Sequence, residues 1–234
     1  MIRTLPHLFE TSVAKFGPNP FLWEKTGESY QKSSYREVRE KVHQFAAGLL
    51  AIGVQPGHRL ALMAEGRNYW IIAELGILFA GGINVPLSIK LDAESEVKFR
   101  LQHSEAGFII VSGNQLPKIK AIRNSLPLIK TIILLDPLES YAADEIFVED
   151  LMEKGRDFLL NFPLRLDETW KAVGENHFAN ICYTSGTTAD PKGILLTHLN
   201  YYTNVEQSIT LMDIPSYFKT LCILPLDHSF AAAA

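Results

Sequence analysis

Cysteine is scarce in this sequence: two of its 234 residues are cysteines, at positions 182 and 222. Two thiols cannot form the multi-bridge framework that holds small secreted domains together, so the sequence excludes that class of protein. Both residues stand in apolar stretches, FANICYT and TLCILPL. We therefore predict that Cys182 and Cys222 are reduced thiols buried in the core.

The sequence also lacks a charge imbalance. Its 22 basic and 26 acidic residues give a formal net charge of −4, and no run of like charges occurs. Proteins that bind nucleic acids usually carry a basic surface, so the composition predicts no nucleic acid partner. Hydrophobic residues at 47% and charged residues at 21% are typical of a globular protein and exclude a disordered or fibrous chain.

Long hydrophobic runs are missing as well. The longest apolar stretch, residues 70–85, is interrupted by Glu74 and three glycines. A membrane-spanning helix needs about 20 consecutive apolar residues, so no transmembrane segment is predicted. The first ten residues, MIRTLPHLFE, hold no apolar signal core, and no basic amphipathic helix indicates a membrane anchor. These observations predict a cytoplasmic protein and leave only peripheral membrane contact open.

Strand-like and helix-like segments alternate along most of the chain. Strands are predicted at residues 59–64, 83–87, 108–111 and 131–135, with helices between them at 69–80, 93–102 and 116–126. Before them, Ser34 begins another predicted helix, and Glu37 completes its capping box. This succession predicts an α/β fold in which layered, mostly parallel sheets are flanked by helices.

The chain divides into a first α/β unit, residues 1–165, and the start of a second, residues 166–234. In the second unit the pattern predicts a strand at 178–183, a polar loop at 184–193, a helix at 197–211 and a strand at 220–225. Two strands and one helix cannot bury a sheet of their own. We therefore expect the chain to be the N-terminal portion of a longer protein, with its second unit incomplete.

The polar loop between the two parts of the second unit carries the strongest chemical signal. Residues 181–200 read ICYTSGTTADPKGILLTHLN. Hydroxyl side chains surround Gly186, and backbone N–H groups in such a turn offer many donors for phosphate oxygens. Lys192 adds a positive charge that can reach an anionic phosphate. The pattern favours a phosphate-binding loop over a polar connection without a ligand, and its hydroxyl residues are Thr184, Ser185, Thr187 and Thr188.

The loop is not a Walker A loop. That pattern places Gly-Lys-Ser/Thr five residues after its first glycine. Here the corresponding residues are Pro191, Lys192 and Gly193, so the second glycine and the Mg²⁺-binding hydroxyl are both missing. The sequence therefore does not favour a P-loop kinase or GTPase.

The segment YTSGTTADPKG, residues 183–193, resembles the phosphate-binding signature of the adenylate-forming superfamily of acyl-CoA synthetases, luciferases and peptide-synthetase adenylation domains. Thr197, His198 and Asn200 match the Thr-His-x-Asn that commonly follows it. Ala189 departs from the pattern, since glycine is usual there, and it would restrict the loop if that position is left-handed. Two further stretches agree: RNYWIIAELGILFAGGINVPL, and LPLDHSF at 224–230, which is most like the long-chain fatty acyl-CoA synthetases.

The resemblance implies the fold of the N-terminal domain of acyl-CoA synthetases and an ATP-dependent, AMP-forming reaction. A carboxylic acid, in this branch a long-chain fatty acid, would be activated as an acyl-adenylate and transferred to coenzyme A, with Mg²⁺ bound to ATP. By the same resemblance, His228 would be the catalytic residue near the carboxylate, and Thr188 would help to place Mg²⁺. The ATP phosphates would be held by Thr184, Ser185, Gly186, Thr187, Thr188, Lys192 and Gly193.

The other histidines show no metal-ligand spacing, so no further metal site is predicted from them. His198 is expected to be the N-terminal residue of a helix, and the remaining ones are expected at the surface or partly buried: His7, His43, His58, His103 and His177.

The later motifs of the family are absent from these residues: the Tyr-Gly-x-Thr-Glu loop, the ribose-binding aspartate, the hinge and the C-terminal lysine. We therefore expect an acid–thiol ligase as the full-length protein and no adenylation by the 234 residues alone. Two alternatives stay open. One is an adenylating enzyme for another carboxylic acid, and the other is a non-catalytic nucleotide- or phosphate-binding module.

Overall fold

The computed structural model describes residues 3–184, 191–212, 215, 217–222 and 225–227. Its strands are β1 (Pro20–Thr26), β2 (Ser29–Ser34), β3 (Arg59–Met63), β4 (Ile83–Pro86), β5 (Phe108–Val111), β6 (Thr131–Leu134), β7 (Glu145–Phe147), β8 (Phe178–Thr184) and β9 (Lys192–Thr197). Its helices are α1 (Leu5–Phe16), α2 (Tyr35–Ala51), α3 (Asn68–Phe79), α4 (Lys98–His103), α5 (Leu116–Ile122), α6 (Val148–Asn161), α7 (Arg165–Lys171) and α8 (His198–Leu211). A π-helical turn, Ala93–Val97, leads into α4, and a short 3₁₀ turn, Arg123–Ser125, follows α5.

Seven of the described strands form one sheet in the order β7-β6-β5-β3-β4-β8-β9. Neighbouring strands from β7 to β8 run parallel, whereas β9 runs antiparallel to β8 at the edge. Strands β1 and β2 form a separate antiparallel hairpin. The prediction of an α/β fold with a mostly parallel sheet is therefore confirmed.

Alternate side chains of the central strand β3 enter two different cores. Leu60 and Leu62 pack with apolar residues of α2, α3 and α6 on one face of the sheet. Ala61 and Met63 pack with residues of α4 and α5 on the other. All four side chains are fully buried. A strand covered on both faces reads as a continuous apolar run, which is why RLALM was recognisable as a buried strand.

Local signals placed the helices of the first 165 residues well. Ser34 caps α2, and the backbone N–H of Ser34 donates in return to the Glu37 carboxylate at 2.7 Å, so the predicted capping box is confirmed. The predicted buried helix at 69–80 is α3, in which Trp70 is 1% exposed. Asp92 accepts a hydrogen bond from the Ser95 N–H and begins the helical segment predicted at 93–102.

Several predictions for the second unit were wrong. Residues 192–197 form strand β9, so the polar loop ends at Lys192 and connects two antiparallel strands instead of a strand and a helix. The apolar run Ile-Leu-Leu between Gly193 and Thr197 is too short to be told from a loop by its period. The described residues of the segment 220–225, namely 220–222 and 225, are not in a strand. Strand β7 and helix α7 were not predicted.

The boundary proposed at residue 165 does not separate two sheets. Strand β8 pairs with β4, so the strands that follow residue 165 extend the sheet begun by β3. Helix α7, just after the boundary, buries Leu166 and Trp170 in the core shared with α2 and α3. A further unit within residues 166–234 remains a prediction.

Candidate functional site

The two ends of the predicted phosphate-binding loop lie directly opposite each other. Thr184 is the last residue of β8, Lys192 is the first residue of β9, and the two are partners across the antiparallel ladder. Both side chains are exposed. The loop therefore leaves and re-enters the sheet at one point, on the edge where the parallel strands have their carboxyl ends, which is where α/β sheets bind ligands.

Other predicted site residues fall outside the described part of the chain. These are the five residues Ser185, Gly186, Thr187, Thr188 and His228. The structure brings together Thr184, Lys192 and Gly193, and the assignment of Thr188 to Mg²⁺ and of His228 to catalysis stays a prediction.

Lys192 is available to an anion. No salt bridge links its ammonium group to any residue that the structure describes, whereas Thr184 supplies a hydroxyl group on the facing strand. An exposed ammonium group opposite a hydroxyl group fits the oxygen atoms of a phosphate chain. The described residues thus fit the ATP phosphates that the resemblance implies.

Gly193 is closely packed by side chains of β8. Tyr183 is its partner on β8, and a Cβ at Gly193 would lie 3.0 Å from Ile181 Cγ2 and 3.4 Å from the Tyr183 ring. Those distances are at or below ordinary van der Waals contact, so the Tyr183 ring lies against the glycine backbone. Gly193, which was predicted to hold phosphate, therefore packs against Tyr183 at the base of the loop.

Tyr183 itself joins the base of the loop to helix α4. Its hydroxyl lies 2.9 Å from His103 Nδ1 and donates to the Arg100 carbonyl oxygen at 3.3 Å. The Arg100 guanidinium lies 5.6 Å from the centre of the Tyr183 ring. Burial raises the pKa of the Tyr183 hydroxyl, so the group stays protonated near neutral pH. Sequence reasoning missed Tyr183 and His103, because no local pattern relates residues so distant in the chain.

A polar cluster lies beneath the middle of β8. The Glu74 carboxyl of α3 accepts hydrogen bonds from Asn84 Nδ2 at 3.1 Å and from Asn180 Nδ2 at 3.3 Å. Asn180 Nδ2 also donates to the Tyr201 hydroxyl at 2.7 Å. The oxygens Asn84 Oδ1 and Asn180 Oδ1 are buried without a partner among the described residues. Burial raises the pKa of Glu74 to about 7, although the two amide donors oppose the rise.

We expect the Glu74 cluster to make stability depend on pH. A carboxyl with a raised pKa binds its proton more tightly in the folded state, so its contribution is fully present below the unfolded pKa of about 4.3 and is lost as pH rises through about 7. Between about pH 5 and about pH 8, the free energy of unfolding of the wild type should fall by about 2 kcal/mol more than that of Glu74→Gln. Urea unfolding at both pH values measures the difference.

The matched control for this comparison is Glu153→Gln, which changes an exposed glutamate of α6. It should follow the wild type at both pH values. Parallel pH profiles for the wild type and Glu74→Gln would show that the Glu74 carboxyl does not titrate in this window.

Thr197, His198 and Asn200, at the start of α8, have structural contacts. Thr197 and Asn200 form a second capping box, in which the Asn200 N–H donates to Thr197 Oγ1 at 3.2 Å. His198 is the first residue of α8, as predicted, but its ring is 1% exposed, and Nδ1 accepts a hydrogen bond from the Leu5 N–H at 3.3 Å. Burial lowers the pKa of His198 to about 4, so the ring is neutral and acts as a buried acceptor.

The two cysteines differ from each other. Cys182 is partly buried beside the Tyr201 hydroxyl, at 3.8 Å, and burial raises the pKa of its thiol. Cys222 is exposed, so the prediction that it is buried in the core was wrong. Its apolar neighbours in the sequence explain the error, since Leu221 beside it is 73% exposed as well.

Metal clusters and membrane spans concern the part of the chain that the structure describes. No group of three or more His, Cys, Asp or Glu side chains in that part of the chain is arranged to hold a metal ion. None of the helices that the structure describes has both the length and the apolar character that a membrane span requires.

Comparison with known proteins identifies relatives of this chain. A long-chain-fatty-acid–CoA ligase of Xenopus laevis is 31% identical over 199 residues, which are 84% of this chain and 26% of that protein. A chloroplastic long-chain-fatty-acid–[acyl-carrier-protein] ligase of Arabidopsis thaliana is 24% identical over an alignment of 249 positions, which covers 99% of this chain and 33% of that protein. The chain thus spans between a quarter and a third of the length of these relatives.

Solved structures share the fold. The N-terminal domain of FACL13 from Mycobacterium tuberculosis superimposes with a TM-score of 0.79 at 22% identity, covering 100% of this chain and 54% of that one. A long-chain-fatty-acid–CoA ligase from Archaeoglobus fulgidus gives a TM-score of 0.81 at 18% identity, covering 98% and 43%. A family model described as AMP-binding enzyme matches residues 9–234, and the chain therefore belongs to the AMP-binding enzyme family.

Proposed function

We propose that this chain is the N-terminal part of an ATP-dependent, AMP-forming ligase that activates a long-chain fatty acid and transfers it to coenzyme A. The observation that carries the proposal is the position of Lys192 opposite Thr184, at the two ends of a segment that is rich in hydroxyl groups and contains Gly186. Family membership over residues 9–234 supports the same chemistry.

The proposed reaction has two halves. First, a carboxylate oxygen of the fatty acid bonds to the α-phosphorus of ATP, and the bond to pyrophosphate breaks. Negative charge builds up on the leaving pyrophosphate, so a positioned ammonium group lowers the barrier. We propose that Lys192 supplies that charge and that the Thr184 hydroxyl donates to a phosphate oxygen, a proposal supported by their pairing across the β8–β9 ladder. In the second half, the thiol sulfur of coenzyme A attacks the acyl carbonyl carbon, and AMP leaves.

Mg²⁺ would neutralise part of the charge on the ATP phosphates. We propose that Thr188 contacts this ion and that His228 lies beside the fatty acid carboxylate. Both roles rest on the motif resemblance, since both residues are outside the described part of the chain.

The relatives support a long-chain acid and differ in the acceptor thiol. The Xenopus laevis relative is named as a ligase for coenzyme A, whereas the Arabidopsis thaliana relative is named as a ligase for acyl carrier protein. We propose coenzyme A because the identity to the former is higher, 31% against 24%. We also propose a cytoplasmic location with peripheral membrane contact, since the substrate is a lipid.

Carboxylate-dependent exchange of labelled pyrophosphate into ATP tests the proposal on the complete gene product. Palmitate should support exchange, and acetate, benzoate and phenylalanine should support little. Exchange with benzoate or an amino acid alone would select a different adenylating enzyme. ATP binding without exchange for any acid would select the non-catalytic nucleotide-binding module. Supplying coenzyme A or acyl carrier protein after adenylation then identifies the acceptor.

The 234-residue chain by itself should bind phosphate weakly and should not catalyse exchange. The adenine, ribose and C-terminal lysine contacts of the family lie in motifs that this sequence does not contain. A palmitate-dependent exchange signal from the purified 234-residue chain would contradict this expectation.

A further inference from the structure

The carboxyl end of β8, which leads into the predicted phosphate-binding loop, has little backbone support from the rest of the sheet. Among the described residues, β4 pairs with β8 through one residue pair, Asn84 with Asn180. In contrast, β3 and β4 pair over four residues. Strand β4 ends at Pro86, which has no N–H to donate to a neighbouring strand. Beyond Asn180, β8 is therefore paired only with the edge strand β9.

The Tyr183 side chain supplies a connection where the ladder does not. Its hydroxyl reaches His103 Nδ1 at 2.9 Å and the Arg100 carbonyl oxygen at 3.3 Å, and both residues belong to α4 on one face of the sheet. Its ring lies against Gly193 of β9 and beneath the Arg100 guanidinium. The Tyr183 side chain therefore connects both β8 and β9 to helix α4.

Helix α4 is held to the protein through its buried residues Arg100 and Leu101. Arg100 is 5% exposed and donates to the Glu96 carbonyl oxygen at 3.0 Å. Leu101 is 2% exposed in the core beneath α5. His103, the last residue of α4, is exposed, and its ring stacks on Phe99 with a centroid distance of 5.3 Å.

We propose that Tyr183 is a positioning residue for ATP: through its bonds to α4 it holds Thr184 and Lys192 where the phosphate chain needs them. The proposal deepens the proposed function and rests on it. Tyr183 does not touch the nucleotide in this scheme. It acts through its chain neighbour Thr184 and through Lys192, which is paired with Thr184. Catalytic groups misplaced by about 1 Å can lose about a hundredfold in rate, so such an anchor affects turnover.

Tyr183→Phe in the complete gene product tests the anchor, because phenylalanine keeps the ring on Gly193 and removes only the hydroxyl. We expect the Kd of ATP, measured by titration calorimetry, and the KM of ATP each to rise about tenfold, because Thr184 and Lys192 are then less well preorganised for the phosphate chain. The KM of the fatty acid should stay unchanged. The matched control is Tyr30→Phe, an exposed tyrosine of β2, which should leave all these values at the wild-type level.

A double-mutant cycle separates the effect of the Tyr183–His103 hydrogen bond from a general destabilisation of β8 and β9. His103→Phe keeps a ring that stacks on Phe99 and removes the partner of the Tyr183 hydroxyl. If the bond carries the effect, the double variant Tyr183→Phe/His103→Phe should be no worse than Tyr183→Phe alone. Fully additive losses would overturn the proposal.

The outcomes distinguish this inference from the proposed function. Suppose that the wild type exchanges pyrophosphate and that Tyr183→Phe has the same Kd and KM of ATP as Tyr30→Phe. The proposed function then stands, and the role of Tyr183 is overturned. A wild-type protein that binds ATP without exchange contradicts the function, and the Kd ratio of the two variants still decides the role of Tyr183. A wild-type protein that does not bind ATP overturns both.

Discussion

Gly155→Ala is expected to lower the free energy of unfolding by about 3 kcal/mol or more, because an added methyl group has no space at this helix crossing. A Cβ at Gly155 of α6 would lie 1.9 Å from the Gln44 carbonyl oxygen and 2.7 Å from the Gly48 nitrogen, both backbone atoms of α2. A Cβ at Gly48 would likewise lie 2.3 Å from the Leu151 carbonyl oxygen. The two helices therefore touch backbone to backbone, and either alanine must push them apart.

Intrinsic helix propensity predicts the opposite sign for the change in stability. Inside a helix, alanine is favoured over glycine by about 1 kcal/mol, so a purely local effect would stabilise α6. A net loss isolates the packing between α2 and α6. The core at risk is large, since Val42, Phe45 and Leu49 of α2 are fully buried against Leu151.

Urea unfolding of the purified protein, followed by circular dichroism, measures the change. Gly66→Ala is the control, because a Cβ there has no heavy atom within 4 Å. That variant should stay within about 1 kcal/mol of the wild type. Equal stability of Gly155→Ala and Gly66→Ala would mean that α2 and α6 do not approach as closely as described.

The close approach of α2 and α6 illustrates what the sequence could not predict. The Ser34 capping box located the start of α2. Nothing local, however, indicates that Gly48 and Gly155 face each other, because the partner of each glycine is distant in the chain. The strand order has the same origin: β4 is followed by a return to the far side of β3, which only the assembled core determines.

The candidate site likewise has features that the sequence predicted and features that it could not predict. The order of residues in the motif indicated Thr184, Lys192 and Gly193, and the structure places them side by side. The motif gave no sign of β9, because an apolar run of three residues has no readable period. Nor did it indicate the bond between Tyr183 and His103, which exists only because α4 packs beside the end of β8.

Lys192→Ala in the complete gene product is expected to lower kcat/KM for palmitate-dependent exchange by about a hundredfold or more. Removing one preorganised donor to a developing anion commonly costs 10²–10³ in rate, roughly 3 to 4 kcal/mol of transition-state stabilisation. Lys192 fits this role because it is exposed, makes no salt bridge within the described residues and stands opposite Thr184. Its loss should leave the melting temperature unchanged, since the side chain supports no described contact.

Two companion variants make the Lys192 result interpretable. Lys192→Arg keeps the charge but spreads it over a planar fork, so it should recover part of the activity. Lys25→Ala removes another exposed lysine from strand β1 and should retain wild-type kcat/KM, which excludes an effect of net charge alone.

If Lys192→Ala kept kcat/KM within about threefold of Lys25→Ala, the ammonium would not bind the leaving pyrophosphate. The phosphate contacts would then fall to the hydroxyl and N–H groups, whose binding depends less on salt than that of an ammonium group. The exchange rate of the wild type is therefore measured at rising salt concentration. The rate should fall if the Lys192 ammonium binds the phosphates as proposed.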